Sequence, residues 1–177
     1  MPPSETRPWS VPLKLHDVGR APVARRIVAD EAARGRIAAE LGLDRLDRLD
    51  AELEVAPWLD GAQLSARWSA AIEQTCGVTL EPFGSELEGE FQVKLLPRSS
   101  RHAPAENPEV AIDPEAEDPP DLLDEDVIDL GAYVVEHLAV EIDPFPRKPG
   151  AVFEPPPPEE PPSPFAVLKG LGAKPGS

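Results

Sequence analysis

Residues 64–82 read LSARWSAAIEQTCGVTLEP. In the first half of this segment, apolar side chains recur at every second position from Leu64 to Ile72, with small or polar residues between most of them. Because side chains alternate across a β-strand, this pattern predicts a strand with one buried face. The second half contains the only cysteine of the chain, Cys76, followed by a Gly-Val-Thr step.

Two further alternating runs flank this strand. Residues 49–55 alternate Leu, Ala, Leu and Val with acidic residues, and the Asp60-Gly61 pair after them predicts a turn. Residues 87–95 alternate apolar residues and Gly89 with Glu, Gln and Lys, after a turn expected at residues 82–85. Three consecutive runs with short turns predict an antiparallel meander in which residues 63–76 form the middle strand.

Helical patterns lie on either side of the meander. Asp30 is a good N-cap and Gly42 fits the position that ends a helix, so a helix is expected over residues 31–41. A second amphipathic helix is expected over residues 129–142, docked back on the sheet together with Ile128. Short strands are expected at residues 11–15 and 25–29.

The sequence therefore predicts an α+β fold, in which a small antiparallel sheet packs with one or two helices. A disordered acidic and Pro-rich loop and a tail complete the chain. Residues 163–171 are expected to form one or two helical turns, and residues 155–158 a polyproline segment. The expected divisions are an N-terminal arm (1–10), the sheet domain (11–101), an acidic disordered linker (102–127), the docking helix (128–143) and a Pro-rich tail (144–177).

Charge is distributed unevenly along the chain. The net charge is −16, of which residues 103–177 carry −13 and residues 1–102 only −3. Such an acidic balance argues against non-specific binding to nucleic acid, although a local basic patch escapes that objection. No apolar run reaches the length of a transmembrane helix, and the N-terminus lacks the apolar core of a signal peptide, so the expected location is cytoplasmic, without membrane contact.

Cys76 is the first place to look for reactive chemistry. A zinc site of the Cys-x-x-Cys type needs a second thiolate three residues on, and Thr79 stands there instead. A nucleophilic cysteine needs a nearby base, and His16, His102 and His137 are all distant in sequence. We expect Cys76 to be a small structural residue at a strand end, and we expect no catalytic residue, cofactor or metal.

Basic residues concentrate around the first helix. One interpretation is a solvated helix face with acidic partners, as in an Asp44/Arg48 pair. The alternative is a patch that contacts RNA phosphates, with Trp58 or Trp68 as stacking partners, although the alternation favours the core for Trp68. The residues proposed to bind RNA are Arg20, Arg25, Arg26, Arg34 and Arg36, with Arg45 and Arg48 beside them.

Residues 75–82, TCGVTLEP, resemble the YceD family of large ribosomal RNA subunit accumulation proteins. The acidic linker, residues 129–147 and the terminal segment 163–168 follow in the family's order, so that the resemblance extends over roughly residues 9–172. The residues that match the central family motif, in a structural role, are Cys76, Thr79, Leu80, Glu81 and Pro82.

The resemblance implies a cytoplasmic, non-catalytic protein that supports synthesis, processing or accumulation of large-subunit (23S) ribosomal RNA. Its implied partners are that RNA or its precursor and, as a further candidate, a large-subunit ribosomal protein. Many family members have Cys-x-x-Cys where this chain has Cys76 and Thr79, so a metal role does not carry over. The alternative function is an acidic adaptor that binds a basic protein without touching RNA.

Overall fold

The computed structural model describes residues 7–104 and 118–153. This part of the chain contains seven strands, two α-helices and a 3-10 turn, and it confirms the α+β class. The elements are β1 (Pro12–Lys14), the 3-10 turn (Leu15–Asp17), β2 (Val23–Val28), α1 (Glu31–Leu41), β3 (Arg45–Trp58), β4 (Gly61–Thr75), β5 (Pro82–Pro97), β6 (Asp121–Leu123), β7 (Val127–Asp129) and α2 (Leu130–Glu141).

The main sheet has five strands in the order β2-β3-β4-β5-β6. Neighbouring strands are antiparallel except for β5 and β6, which run parallel. The predicted meander of β3, β4 and β5 is confirmed, with β4 in the middle and paired on both sides over almost its whole length. The alternating side chains of β4 from Ala62 to Ile72 are buried on one face, as the period of two requires.

The turn between β4 and β5 differs from the prediction. It was expected at residues 82–85, but the chain reverses at residues 76–81 and Pro82 is already the first residue of β5. Proline is tolerated at the first position of a strand, so Pro82 did not mark the turn. Leu80 instead adopts a positive φ of 58°, and its N–H donates to the Cys76 carbonyl at 2.9 Å.

A β-bulge keeps β3 amphipathic. The register with β4 shifts between Leu46 and Arg48, so that Asp47 is the extra residue. Without the bulge, Leu46 and Leu49 would point to opposite faces of the sheet, since they are three positions apart. With it, both are buried in the same core as Val55.

The two helices cover the apolar face. The Asp30 side chain accepts the Ala33 N–H at 2.7 Å, and Gly42 ends α1 with φ of 66°, both as predicted. Helix α1 packs over β3, whereas α2 packs over β4 and β5. The predicted docking of Ile128 with α2 is also confirmed, because Ile128 is fully buried.

Asp129 fastens the N-terminal segment to α2. Its carboxylate is 4% exposed and accepts from Arg7 Nη1 at 2.8 Å, Ser10 Oγ at 2.7 Å and the Val11 N–H at 2.8 Å. The same side chain caps α2 through the Ala132 N–H. One carboxylate therefore joins two segments that are far apart in sequence.

The linker prediction is wrong for its described part. Residues 121–123 form β6 on the edge of the main sheet, and residue 127 begins β7, which pairs with β1. These strands are three residues long, too short to show an alternating pattern in sequence. The remaining linker residues 105–117, the start of the N-terminal arm (1–6), the polyproline segment (155–158) and the predicted terminal helix (163–171) lie outside the described residues.

Candidate nucleic-acid interface

The five arginines proposed to bind RNA surround one edge of the main sheet. Arg20 precedes β2, Arg25 and Arg26 lie on β2 itself, and Arg34 and Arg36 lie on α1. Among the described strands, β2 has only β3 as a neighbour in the sheet. We call this set the β2–α1 arginines.

The β2–α1 arginines do not form one flat patch. Arg25 stands opposite Leu53 and Arg26 opposite Glu52, so the two side chains project from opposite faces of β2. Arg34 and Arg36 are two positions apart, which turns their directions by about 200° around the helix axis. The cluster therefore wraps around the sheet edge.

Three of these arginines donate hydrogen bonds to backbone carbonyls. Arg34 Nη1 donates to the Ala29 carbonyl at 2.9 Å, Arg36 Nε to the Pro8 carbonyl at 2.8 Å, and Arg25 Nη1 to the neighbouring Ala24 carbonyl at 3.1 Å. Within residues 7–104 and 118–153, none of the five forms an ion pair with a carboxylate. No carboxylate oxygen of a described residue therefore lies within 4 Å of their guanidinium groups.

Other arginines on the sheet are neutralised. Arg45 pairs with Asp47 and Glu73, and Arg67 with Glu90 at 3.4 Å. Arg48 pairs with Asp50 and Glu86. These ion pairs distinguish Arg45 and Arg48 from the five β2–α1 arginines, although all seven residues are close in sequence.

The expected Asp44/Arg48 pair is wrong. Asp44 accepts a hydrogen bond from the Thr75 hydroxyl at 2.8 Å, while Arg48 turns toward β4 and β5. The spacing of four residues brings side chains together only on a helix, and Arg48 lies on β3. The Asp44/Arg48 pair therefore does not support the interpretation as a solvated helix face with acidic partners.

Residues 20–36 form a local basic region in an acidic chain. Five arginines stand against Asp30 and Glu31, which gives this segment a net charge of +3 beside −16 for the whole chain. Four of the arginines are exposed and Arg34 is half-buried. The segment meets the electrostatic condition for binding a polyanion.

The two tryptophans proposed for stacking have different environments. Trp68 is 4% exposed and lies in the core, so it is not accessible to a base. Trp58 is half-buried at the end of β3, with Lys94 Nζ 5.5 Å from its ring centroid. Of these two tryptophans, only Trp58 is partly exposed.

Cys76 is a buried anchor of the β4–β5 turn. Its Sγ accepts backbone N–H groups from Val78 at 3.4 Å, Thr79 at 3.5 Å and Lys148 at 3.3 Å. Donation from the Thr79 hydroxyl is the largest cause that lowers the pKa of Cys76 to about 6, and these N–H groups add to it. Enclosure of the thiol acts in the opposite direction but is outweighed.

The family-motif residues also hold the chain that follows α2. Gly77 donates its N–H to the Pro146 carbonyl at 2.9 Å, and Lys148 Nζ pairs with Glu81 at 2.9 Å. The Lys148 ammonium keeps the pKa of Glu81 below its usual value. Sequence reasoning missed Lys148, because it lies more than sixty residues from the motif and no local pattern marks it.

The histidines have partners of their own. His137 stacks on Phe91 with ring centroids 3.7 Å apart, and its Nδ1 lies 2.8 Å from the Tyr133 carbonyl oxygen. The exposed His16 and His102 neighbour Asp17 and Arg101, respectively.

Two findings bear on metals and membranes. In the described ranges, no group of three or more His, Cys, Asp or Glu side chains is arranged to hold a metal ion. No helix found there is long and apolar enough to cross a membrane.

The family model described as "Large ribosomal RNA subunit accumulation protein YceD" matches residues 64–172, more than half of the chain. The match begins in β4 and includes the Cys76–Pro82 motif and α2. It is shorter than the expected 9–172 and leaves out β1 to β3, α1 and the β2–α1 arginines. No curated protein and no solved structure matches the chain.

Proposed function

We propose that this chain, which belongs to the YceD family of large ribosomal RNA subunit accumulation proteins, binds large-subunit ribosomal RNA or its precursor. The proposed contact is made by the β2–α1 arginines. Family membership places the protein in ribosome biogenesis, in the accumulation of large-subunit ribosomal RNA. Direct RNA contact, and the residues that make it, are our proposal. They do not follow from the family match, which begins after these arginines.

The observation that carries the proposal is the absence of carboxylate partners for the β2–α1 arginines within the described residues. The chain has many more acids than bases, and it neutralises Arg45, Arg48 and Arg67 with nearby carboxylates. Arginines left without such partners are available to RNA phosphates, which guanidinium groups bind in bidentate geometry. Because these arginines wrap around the sheet edge, we expect them to contact an RNA backbone that bends around the protein.

We propose a non-enzymatic mode of action in the cytoplasm. The one thiol of the chain is buried and accepts backbone N–H groups, which supports a structural rather than a catalytic role for it. The protein would then act by holding RNA in a form that is processed or protected, a role that needs affinity and no bond-making.

The second candidate is an adaptor that binds a basic protein, such as a large-subunit ribosomal protein. One observation favours it: the face of the sheet opposite the two described helices carries acidic side chains on β3 and β5. RNA binding requires the β2–α1 arginines, whereas an adaptor that binds a basic protein does not.

A pull-down from cells separates the two functions. The wild-type chain and a variant with the five β2–α1 arginines changed to Gln would be compared at low and moderate salt, with and without RNase. We expect wild type to recover large-subunit ribosomal RNA, with recovery lost on RNase treatment, at higher salt and in the variant. Recovery of a ribosomal protein that persists after RNase and in the variant would favour the adaptor, and recovery of neither would refute both.

A further inference from the structure

Strand β5 has a long edge without a strand partner among the described residues. It spans sixteen residues, but β6 pairs only with Leu95, Leu96 and Pro97. Residues 82–93 therefore pair with β4 on one side and with no described strand on the other. We call residues 82–93 on that side the open edge of β5. Edge backbone N–H and carbonyl groups of this kind are a template for adding a strand.

The two faces of the open edge differ in chemistry. On the face away from the helices, Glu86, Glu88 and Glu90 form a row of exposed carboxylates. On the helix side, Leu87, Phe91 and Val93 are half-buried, with Phe91 stacked on His137 of α2. A strand added here would have alternate side chains beside the acidic row and beside the apolar row.

We propose that the open edge of β5 binds, by strand addition, an extended protein segment in which Lys or Arg alternates with aliphatic residues. A basic side chain opposite Glu88, the glutamate of this row that forms no ion pair with a described residue, would lie about 5 Å away across the new strand pair, where opposite charges stabilise. The aliphatic side chains of the segment would extend the partly covered apolar row. The site is independent of the proposed RNA contact, which lies at the opposite edge of the sheet.

Charge argues against a second copy and against residues 105–117 as occupants. A second copy pairing edge to edge around Glu88 would bring two rows of glutamates together, and like charges directly opposite each other are destabilising. Residues 105–117 of this chain contain five Asp and Glu and no Lys or Arg, so they have the wrong charge for this row. A basic partner is the occupant that the edge fits.

Glu88 is the best position for a charge test. Glu86 and Glu90 pair with Arg48 and Arg67, whereas Glu88 faces Ser69 across the register and forms no ion pair with a described residue. Glu52 provides a matched control, because it is exposed on the same face but lies on β3, away from the open edge. Both side chains are exposed, so their replacement leaves the core intact.

The test is a titration of the full-length chain with a synthetic peptide of alternating Lys and Val. Binding is monitored by calorimetry and by NMR of the β5 amides. The control peptide has the same sequence with every backbone nitrogen methylated, which keeps the charge and removes the N–H donors. We expect the amides of residues 83–93 to shift with the first peptide and the methylated peptide to bind at least about tenfold more weakly, since several backbone hydrogen bonds are lost.

Glu88→Lys should weaken binding several-fold more than Glu52→Lys. Equal binding of the two peptides would overturn the proposal, because it would show that only net charge attracts them. Shifts confined to another surface, or no binding at all, would also overturn it. A loss of RNA recovery in the arginine variant leaves this result unaffected, so the two proposals fail separately.

Discussion

At the residue scale, Thr79 controls the chemistry of the single cysteine. Its backbone N–H donates to the Cys76 sulfur at 3.5 Å, Lys148 adds a donor from a distant segment, and the Thr79 side chain is the largest cause that lowers the pKa of the thiol. Donors that favour the thiolate lower the pKa of a thiol even when it is enclosed. The sequence predicted a structural Cys76, but the donor from Lys148 is 72 residues away and could not be inferred from local spacing.

Replacing Thr79 should change the titration of Cys76. Thr79→Val removes the hydroxyl donor, so we expect the pKa of Cys76 to rise above its value of about 6, whereas Thr79→Ser should leave it nearly unchanged. The thiolate absorbance of the folded protein, followed against pH, measures this directly. The same pKa in the Val and Ser variants would contradict the assigned role of the hydroxyl.

The low pKa of Cys76 also predicts how stability depends on pH. The thiolate is favoured in the folded state, so its stabilising contribution is fully present above the unfolded pKa of about 8.5 and is lost as pH falls through about 6. Between these values, the unfolding free energy of wild type should rise with pH relative to that of Cys76→Ser. A constant difference between the two proteins across this range, from urea unfolding at several pH values, would be inconsistent with a thiolate at neutral pH.

Asp129 is the second residue on which distant segments depend. Burial raises the pKa of its carboxyl, but the Val11 N–H, Arg7 and Ser10 outweigh this and hold the pKa below its usual value. The carboxylate therefore stabilises the fold fully above about pH 4 and loses this effect as pH falls toward the lowered folded value. The Asp129-Leu130 step in the sequence indicated a helix start, but nothing near it indicated Arg7 as a partner.

Asp129→Ala should lower the unfolding free energy by about 3–5 kcal/mol, because it leaves Arg7 and the buried N–H groups without their acceptor. Asp17→Ala serves as the control, since Asp17 is exposed beside His16 and its loss should cost about 0.5 kcal/mol or less. Urea unfolding of both variants measures the difference. Equal stability of the two would show that the N-terminal segment is not fastened through Asp129.

At the element scale, the sheet depends on close packing between β4 and β5. The Trp68 ring lies over Gly89, the residue opposite it, and a Cβ built at Gly89 would meet the ring at 2.7 Å. The alternating pattern of the sequence predicted both strands, because a period of two is a local signal. It could not predict β6, whose three residues pair with β5 only after a long connection.

Gly89→Ala should destabilise the protein by about 1–3 kcal/mol, since the buried Trp68 must shift to admit a methyl group. The control is Gly35→Ala in α1, where a Cβ meets nothing within 4 Å and the higher helix propensity of Ala should add about 0.5–1 kcal/mol. Opposite signs in denaturant unfolding are therefore expected. A Gly89→Ala protein as stable as wild type would mean that the Trp68 ring does not occupy this position.

At the scale of the whole molecule, opposite charges occupy the two edges of the main sheet. Arginines without ion pairs to described carboxylates surround β2, while carboxylates line the open edge of β5. The sequence located the basic concentration near α1, but it could not separate Arg26 from Arg48. That distinction depends on cross-strand register, which places Glu86 beside Arg48 although they are 38 residues apart.

The salt dependence of RNA binding tests the central claim most directly. Purified wild type would be compared with a variant in which Arg25, Arg26, Arg34 and Arg36 are Gln, and with a control in which the ion-paired Arg45, Arg48 and Arg67 are Gln, using a fragment of large-subunit ribosomal RNA. Each lost phosphate contact reduces the magnitude of the negative slope of log K against log salt by about 0.7–0.9. We therefore predict that the magnitude of the slope falls by about 3 for the first variant and changes little for the control. Equal slopes for wild type and the first variant, or a larger decrease for the control, would contradict the assignment of the β2–α1 arginines as the RNA contact.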